Sequence, residues 1–243
     1  MAVPTAFRMA GTRTSIVKAA SHLLTHGGRE AVSSRAVSAL AGVQAPTIYR
    51  QFGDMAGLLD AVSHETFARY VSQEATFEPT GDPAQDLRRG WDIHVAFGLA
   101  HPAVYALMYG NRAELSATSA AQQGGEVLRG LIVRVAQAGR LQVTVDRAAQ
   151  MIAAAGQGVT LELIATPPES RDLQLATAMR EAVMSAILTA QVPEDRSGEQ
   201  SGPQRVAARA VALNAVLEEA PNVLSGAERQ LLAEWLERLA NPR

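Results

Sequence analysis

The sequence predicts an all-α protein. Apolar residues recur with period 3.6 almost throughout, no segment alternates with period two for long enough to make a strand, and glycine and proline breaks are spaced as helix boundaries. The chain has 243 residues, 47% hydrophobic and 19% charged, enough to bury a sizeable core. No apolar run approaches the roughly 18 residues of a membrane span. The first stretch, MAVPTAFRMAGTRTS, lacks the continuous apolar core of a secretory signal, so a cytoplasmic protein with no membrane partner is expected. The absence of cysteine excludes disulfides, thiolate metal sites and a cysteine nucleophile.

The first helix is expected at about 12–26, where Ile16, Ala19, Ala20, Leu23 and Leu24 form one stripe, and Gly27-Gly28 should end it. Ser33 or Ser34 then caps a short second helix with Val37, Leu40 and Ala41 inside, and Gly42 stops it. Pro46 suits the first turn of a third helix. Asp54 is the expected N-cap of a long fourth helix, about 54–78, with Met55, Leu58, Leu59 and Val62 buried. After the break EPTGDP at 78–83, helices are expected near 83–100, 102–109, 114–139, 144–166 and 169–191. The segment VPEDRSGEQSGP, 192–203, has the composition of a flexible loop. Two helices follow, one lined by Val206, Ala210, Leu213 and Leu217, the other by Leu231, Leu232, Trp235, Leu236 and Leu239.

The stretch AGVQAPTIYRQFGD, 41–54, is compact for a break between helices. Gly42 permits the left-handed backbone of a tight turn, Val43 plugs the corner, and the whole reads as a helix-turn-helix. In the third helix Ile48 and Phe52 stand at i and i+4 and pack inward. Pro46, Thr47 and Arg50 fall on the opposite side, with Tyr49 on the flank. Such an outward face, small, polar and basic, suits the major groove, where arginine can donate two hydrogen bonds to guanine. Charge supports this. Residues 1–53 hold six basic side chains against Glu30 alone, in a chain of 22 basic and 24 acidic residues. A basic end on an acidic body suits a polyanionic partner.

The run from Thr12 to about Val62, including SSRAVSALAGVQAPTIYRQFGDMAGLLDAV, resembles the DNA-binding domain of the TetR family of bacterial transcriptional regulators. The specific part is the glycine-valine turn, then the Ile-Tyr-Arg-x-Phe helix and a leucine pair. The resemblance implies a DNA-binding domain over 1–54, and a C-terminal helical bundle over 55–243 for ligand binding and dimerisation, with the fourth helix linking the two. It implies a homodimeric regulator, a repressor, which binds a near-palindromic operator in double-stranded DNA and leaves it when a small-molecule effector binds. The family's contact positions map onto Ser34, Arg35, Gln44, Ala45, Thr47, Tyr49 and Arg50. Where the family often has a lysine near the start of the fourth helix, this chain reads Gly53-Asp54-Met55.

His22 and His26 stand at i, i+4, but no third metal ligand is evident, so no metal site is expected. Trp91, His94, Phe97, Tyr105, Met108 and Tyr109, with Gln157, offer apolar walls and a few polar groups, which suits a ligand pocket; the other reading is plain core. No nucleophile elbow, phosphate-cradling loop, dinucleotide fingerprint or HExxH pair is present, so neither enzyme activity nor a cofactor is expected. The competing readings are a helical scaffold that binds ligand or protein without DNA, and an enzyme of unrecognised type.

Overall fold

The computed structural model describes residues 5–74, 80–110, 119–189, 202–217 and 223–240. Its helices are α1 (Thr5–Ala31), α2 (Ser34–Ala41), α3 (Ala45–Phe52), α4 (Met55–Glu74), α5 (Pro83–Ala100), α6 (Pro102–Tyr109), α7 (Ser119–Gln137), α8 (Val145–Ala165), α9 (Gln174–Ile187), α10 (Gly202–Val216) and α11 (Gly226–Ala240). Among the described residues no strand forms; Leu141 and Leu188 make an isolated antiparallel bridge. The fold is all-α. No helix there is long and apolar enough to cross a membrane.

The chain divides into two units. The first comprises Met1–Phe77 and Ala96–Gln123. Its core takes Ile16, Ala20 and Leu24 from α1, Val37 from α2, Ile48 from α3, Leu58, Val62 and Phe67 from α4, and Val104, Tyr105 and Met108 from α6. Helix α6 packs against both α1 and α4. Phe97, fully buried, puts its ring 5.3 Å from Phe67 and 5.2 Å from Tyr70, so aromatic contacts tie the end of α5 to α4. Asp60 of α4 caps α7: the backbone N–H and hydroxyl of Ser119 each donate to its carboxylate at 2.8 Å.

The second unit comprises Glu78–Val95 and Gly124–Arg243. Within it α8 packs on α9, and α10 on α11. Helix α8 buries Ala148, Ile152, Gly156, Val159 and Leu163, one stripe of the helical period. Asp86 is 1% exposed yet ionised. Burial opposes its charge, but the Thr80 N–H and hydroxyl at 3.0 and 2.8 Å, with Arg134 at 3.1 Å, outweigh that and hold the carboxyl below its usual pKa.

Several elements differ from the sequence expectations. The first helix does break where Gly27-Gly28 was expected to end it: Gly28, at φ 69° and ψ −172°, is non-helical, and a short second helical stretch continues beyond it to Ala31. The helix expected at 169–191 is shorter: Pro168–Ser170 form one 3-10 turn, and Asp172 caps the N–H of Gln174 at 2.9 Å. At its other end Leu188 turns extended beside the Leu141 bridge, where the Gln142 N–H donates to the Ile187 carbonyl at 2.9 Å and the Thr189 N–H to the Arg140 carbonyl at 3.0 Å. Leu40 is 52% exposed, because the two-turn α2 buries only Val37. In α10 and α11, Ala207, Ala208, Ala210, Val211, Leu217, Leu236 and Ala240 are buried, whereas Val206, Leu213, Leu231, Trp235 and Leu239 are 44–51% exposed. Ala210, Leu217 and Leu236 are thus buried as expected, while the other large residues of the two stripes face outward. Of the loop expected at 192–203, residues 192–201 lie outside the described residues, while Gly202 and Pro203 open α10. The start of the helix expected at 114–139 also lies outside them, as far as 118.

One glycine tests the α3–α4 junction. A Cβ on Gly57 would stand 2.2 Å from the carbonyl oxygen of Phe52, whereas one on Gly130 of α7 would meet nothing within 4 Å. Gly57→Ala should therefore lose about 1–3 kcal/mol of stability by overpacking, while Gly130→Ala should gain up to about 1 kcal/mol from helix propensity. Denaturant unfolding followed by circular dichroism measures both; equal effects would remove the special role of this junction.

Candidate nucleic-acid interface

The two short helices are set by their ends. Ser33, extended at φ −115°, accepts the Ala36 N–H on its hydroxyl at 3.2 Å and starts α2. Gly42 at φ 66°, ψ 33° closes it in the left-handed region, and Val43 N–H returns to the Ser38 carbonyl at 3.1 Å. Gln44 is extended and leads directly into α3, with Pro46 in its first turn. Gly53 at φ 79° ends α3, and Asp54 caps the next helix by accepting the Gly57 N–H at 2.7 Å. Every break in this stretch has a local chemical cause.

Helix α3 then has two faces. Ile48 is completely buried and Phe52 half-buried, while Tyr49 is 44% exposed and Arg50 is exposed. Thr47 and Ala45 are half-buried on the rim, and Gln44 at the turn is exposed. Arg35 is exposed at the start of α2, with Ser34 half-buried beside it. The structure thus brings the seven predicted contact residues to the first turn of α2 and along α3. The face offers guanidinium, phenol, amide and hydroxyl donors, which can meet base edges and phosphates.

The aromatic set falls into two groups. Phe97, Tyr105 and Met108 are buried in the core of the first unit, with Tyr109 half-buried among them and its hydroxyl pushed up to about 12 by burial. Trp91, His94 and Gln157 belong to the second unit. There Gly156 lets α8 approach α5: a Cβ on it would lie 3.6 Å from both the Trp91 and His94 rings. Burial pushes His94 down to about 4, so its imidazole is neutral at pH 7. The buried Trp91 indole N–H has no hydrogen-bond partner. His22 and His26 are exposed and stack on each other at 4.2 Å. Among the described residues no group of three or more metal-ligating side chains forms.

Residues 16–62 match the family model of the bacterial regulatory proteins of the tetR family. The chain carries a TetR-family helix-turn-helix domain. Solved structures extend the TetR-like fold beyond it. A TetR-family transcription regulator from Marinobacter aquaeolei VT8 is 16% identical and aligns with 76% of this chain and 99% of its own, at a TM-score of 0.54. The fatty acid degradation regulator FadR from Bacillus halodurans is 18% identical over 71% of this chain and 94% of its own, at 0.55. RolR, solved in complex with resorcinol, is 17% identical over 82% and 94%, at 0.57. No curated protein matches the sequence at a significant level.

Sequence reasoning missed two contacts around the TetR-type domain. Arg13 reaches the end of α3, and Asp60 caps α7; both join residues far apart in sequence, and neither leaves a periodic signal.

The neutral His94 predicts a pH dependence. Its pKa is depressed in the fold, so the unfolded chain binds more protons between about pH 4 and 6.5, and stability falls as pH drops through that window. Between pH 7 and 5 the loss should be on the order of 1–2 kcal/mol, and His94→Phe should flatten it. Urea unfolding at both pH values measures the difference; the same slope in both proteins would count against a buried neutral imidazole.

Proposed function

We propose that this protein is a dimeric transcriptional repressor of the TetR type, released from its operator by a small-molecule ligand. The observation that carries the reading is the division of α3 into a face anchored by Ile48 and a face presenting Thr47, Tyr49 and Arg50. A helix held only for packing has no need of the second face. In this reading residues 1–54 bind duplex DNA, with Ser34, Arg35, Gln44, Ala45, Thr47, Tyr49 and Arg50 at the groove, and residues 55–243 dimerise and sense the ligand. Two copies would place their α3 helices in successive major grooves about 34 Å apart on a near-palindromic site. The chemistry is binding alone, with no catalytic step and no cofactor.

Dimerisation is assigned to α8 and α9. Their outer surfaces expose the small Ala154 and Gly158 of α8, and Leu175 and Met179 of α9. Small residues let helices approach closely while the larger ones fill the seam. The ligand is assigned to Trp91 and His94 of α5 and to the stretch of α8 around Gly156 that faces them, which carries Gln157. An indole N–H left without an acceptor in a buried site costs about 1–3 kcal/mol, and a ligand that supplies an acceptor recovers it. The complex of RolR with resorcinol favours a small ligand of this kind. On α5 the same helix carries Phe97, four residues on from Ile93, so a shift of its Trp91–His94 stretch would reach α4 and α6 through the aromatic contacts of Phe97. The effect on DNA would follow from moving α4, which adjoins α3.

Two sets of variants test this. Ile48→Ala should cost about 2–5 kcal/mol of stability in the N-terminal unit. Arg50→Ala with Thr47→Ala should leave thermal unfolding and dimerisation unchanged while weakening binding to a duplex selected by the wild type from a random-sequence pool. If Arg50 reads a guanine, its loss should cost about 1–3 kcal/mol and relax preference at one base pair. Native affinity in the double variant would overturn the assignment of α3. Sedimentation at micromolar concentration checks the dimer independently, and a monomer there would overturn it.

A further inference from the structure

Helix α3 is eight residues long, too short to persist without tertiary support. Ile48 anchors its middle, but one buried side chain leaves a helix free to roll about that contact. A second hold comes from α1. The Arg13 guanidinium carbon lies 4.4 Å from the centre of the Phe52 ring, and Nη1 donates to the Gln51 carbonyl at 3.2 Å. Gln51 and Phe52 are the last two residues of α3. The Gln51 carbonyl belongs to the final turn, whose acceptors have no intrahelical donor, and a cation there complements the negative end of the helix. The Phe52 carbonyl is hemmed in as well, since a side chain at Gly57 of α4 would collide with it.

We propose that Arg13 is a positioning residue for DNA recognition: from α1 it clamps the C-terminal end of α3 and fixes how Tyr49 and Arg50 meet the groove. The proposal rests on the DNA-binding reading above. Arg13 works through α3 and not by holding a phosphate, because one face of its guanidinium is covered by Phe52 and Nη1 is committed to Gln51. The geometry demands arginine. A lysine keeps the charge but has neither the flat face for the ring nor the fork that reaches a carbonyl at the same time. A small roll of α3 displaces its base-reading side chains more than it weakens the long-range attraction to the duplex. Arg13 therefore acts on specificity more than on bulk affinity.

The test uses the full-length protein, a duplex selected by the wild type from a random-sequence pool, and a scrambled duplex of equal length, with anisotropy titrations over a range of salt. Arg13→Ala and Arg13→Lys should each weaken binding to the selected duplex about tenfold, the scale of one misplaced base contact. Binding to the scrambled duplex should change little, so the specificity ratio falls while the salt slope stays at its wild-type value. In a Phe52→Leu background, Arg13→Ala should cost clearly less than in the wild type, because the two side chains act as one contact. Recovery of wild-type affinity by Arg13→Lys would overturn the proposal. So would equal weakening on both duplexes with the salt slope reduced by about one, the mark of a lost phosphate contact. Additive effects of Arg13 and Phe52 would overturn it too. A wild-type protein that selects no sequence would instead defeat the DNA-binding reading itself, and this proposal with it.

Discussion

The constraint on which the DNA-binding unit depends is that a two-turn helix must be held entirely from outside. Isolated helices of fewer than about 12 residues are marginal in water, so α3 has the shape its neighbours impose. Ile48, completely buried, supplies the inward anchor; Gly42 and Pro46 set the entry, and Gly53 and Asp54 set the exit. Because all of these act on the backbone or the inner face, the outer face is free of structural duty. Tyr49 and Arg50 are exposed there for that reason.

Most of this unit was legible in the sequence because its determinants are local. A glycine in the left-handed region, a proline in a first turn, a serine at an N-cap and Ile48 spaced from Phe52 all act within four residues of where they sit. The helices α5 and α6 were legible too, for Pro83 and Pro102 each open one. The contacts that fix the mutual placement of helices were not. Arg13 meets Gln51 across 38 positions, and Asp60 caps Ser119 across 59. The misjudged faces of α10 and α11 have a related cause. Counting leucines as the buried stripe assumes that every large residue faces inward; Leu217 and Leu236 do, but most of the buried positions of α10 are alanines, and Leu213, Leu231, Leu239 and Trp235 lie outside.

The second unit is tied by ion pairs that the sequence left unmarked. Arg140 reaches Asp82 at 2.9 Å, Arg134 reaches Asp86, and Arg180 bridges Asp92 and Glu181, with Arg88 on Glu181 as well. In three of these the carboxylate lies on residues 82–92, just before α5 at Asp82, in its first turn at Asp86 and at mid-helix at Asp92. Most are half-exposed and contribute little to stability individually. Asp86 differs, since its burial makes the loss of Arg134 or Thr80 costly by leaving a charge without compensation. The acidic residues of this stretch therefore do more to fix the register of α5 against α7 and α9 than to strengthen the unit.

Fixing α5 matters for any ligand response, because a ligand shifts an equilibrium only by the difference between its affinities for the two states. Moving a regulator from nearly all bound to nearly all free takes a difference of about 10⁴-fold, roughly 5.5 kcal/mol. A single acceptor for the Trp91 N–H is worth about 1–3 kcal/mol, so it cannot supply that alone. Under the proposed reading the remainder would come from apolar contact that exists in one state and not the other, which asks that the helix carrying Trp91 and His94 have two defined positions. A helix pinned by ion pairs along its first half meets that requirement better than a loose one, since it exchanges one set of contacts for another instead of drifting between them. The salt bridges of residues 82–92 limit where α5 can go, and burial keeps the His94 imidazole neutral within that frame.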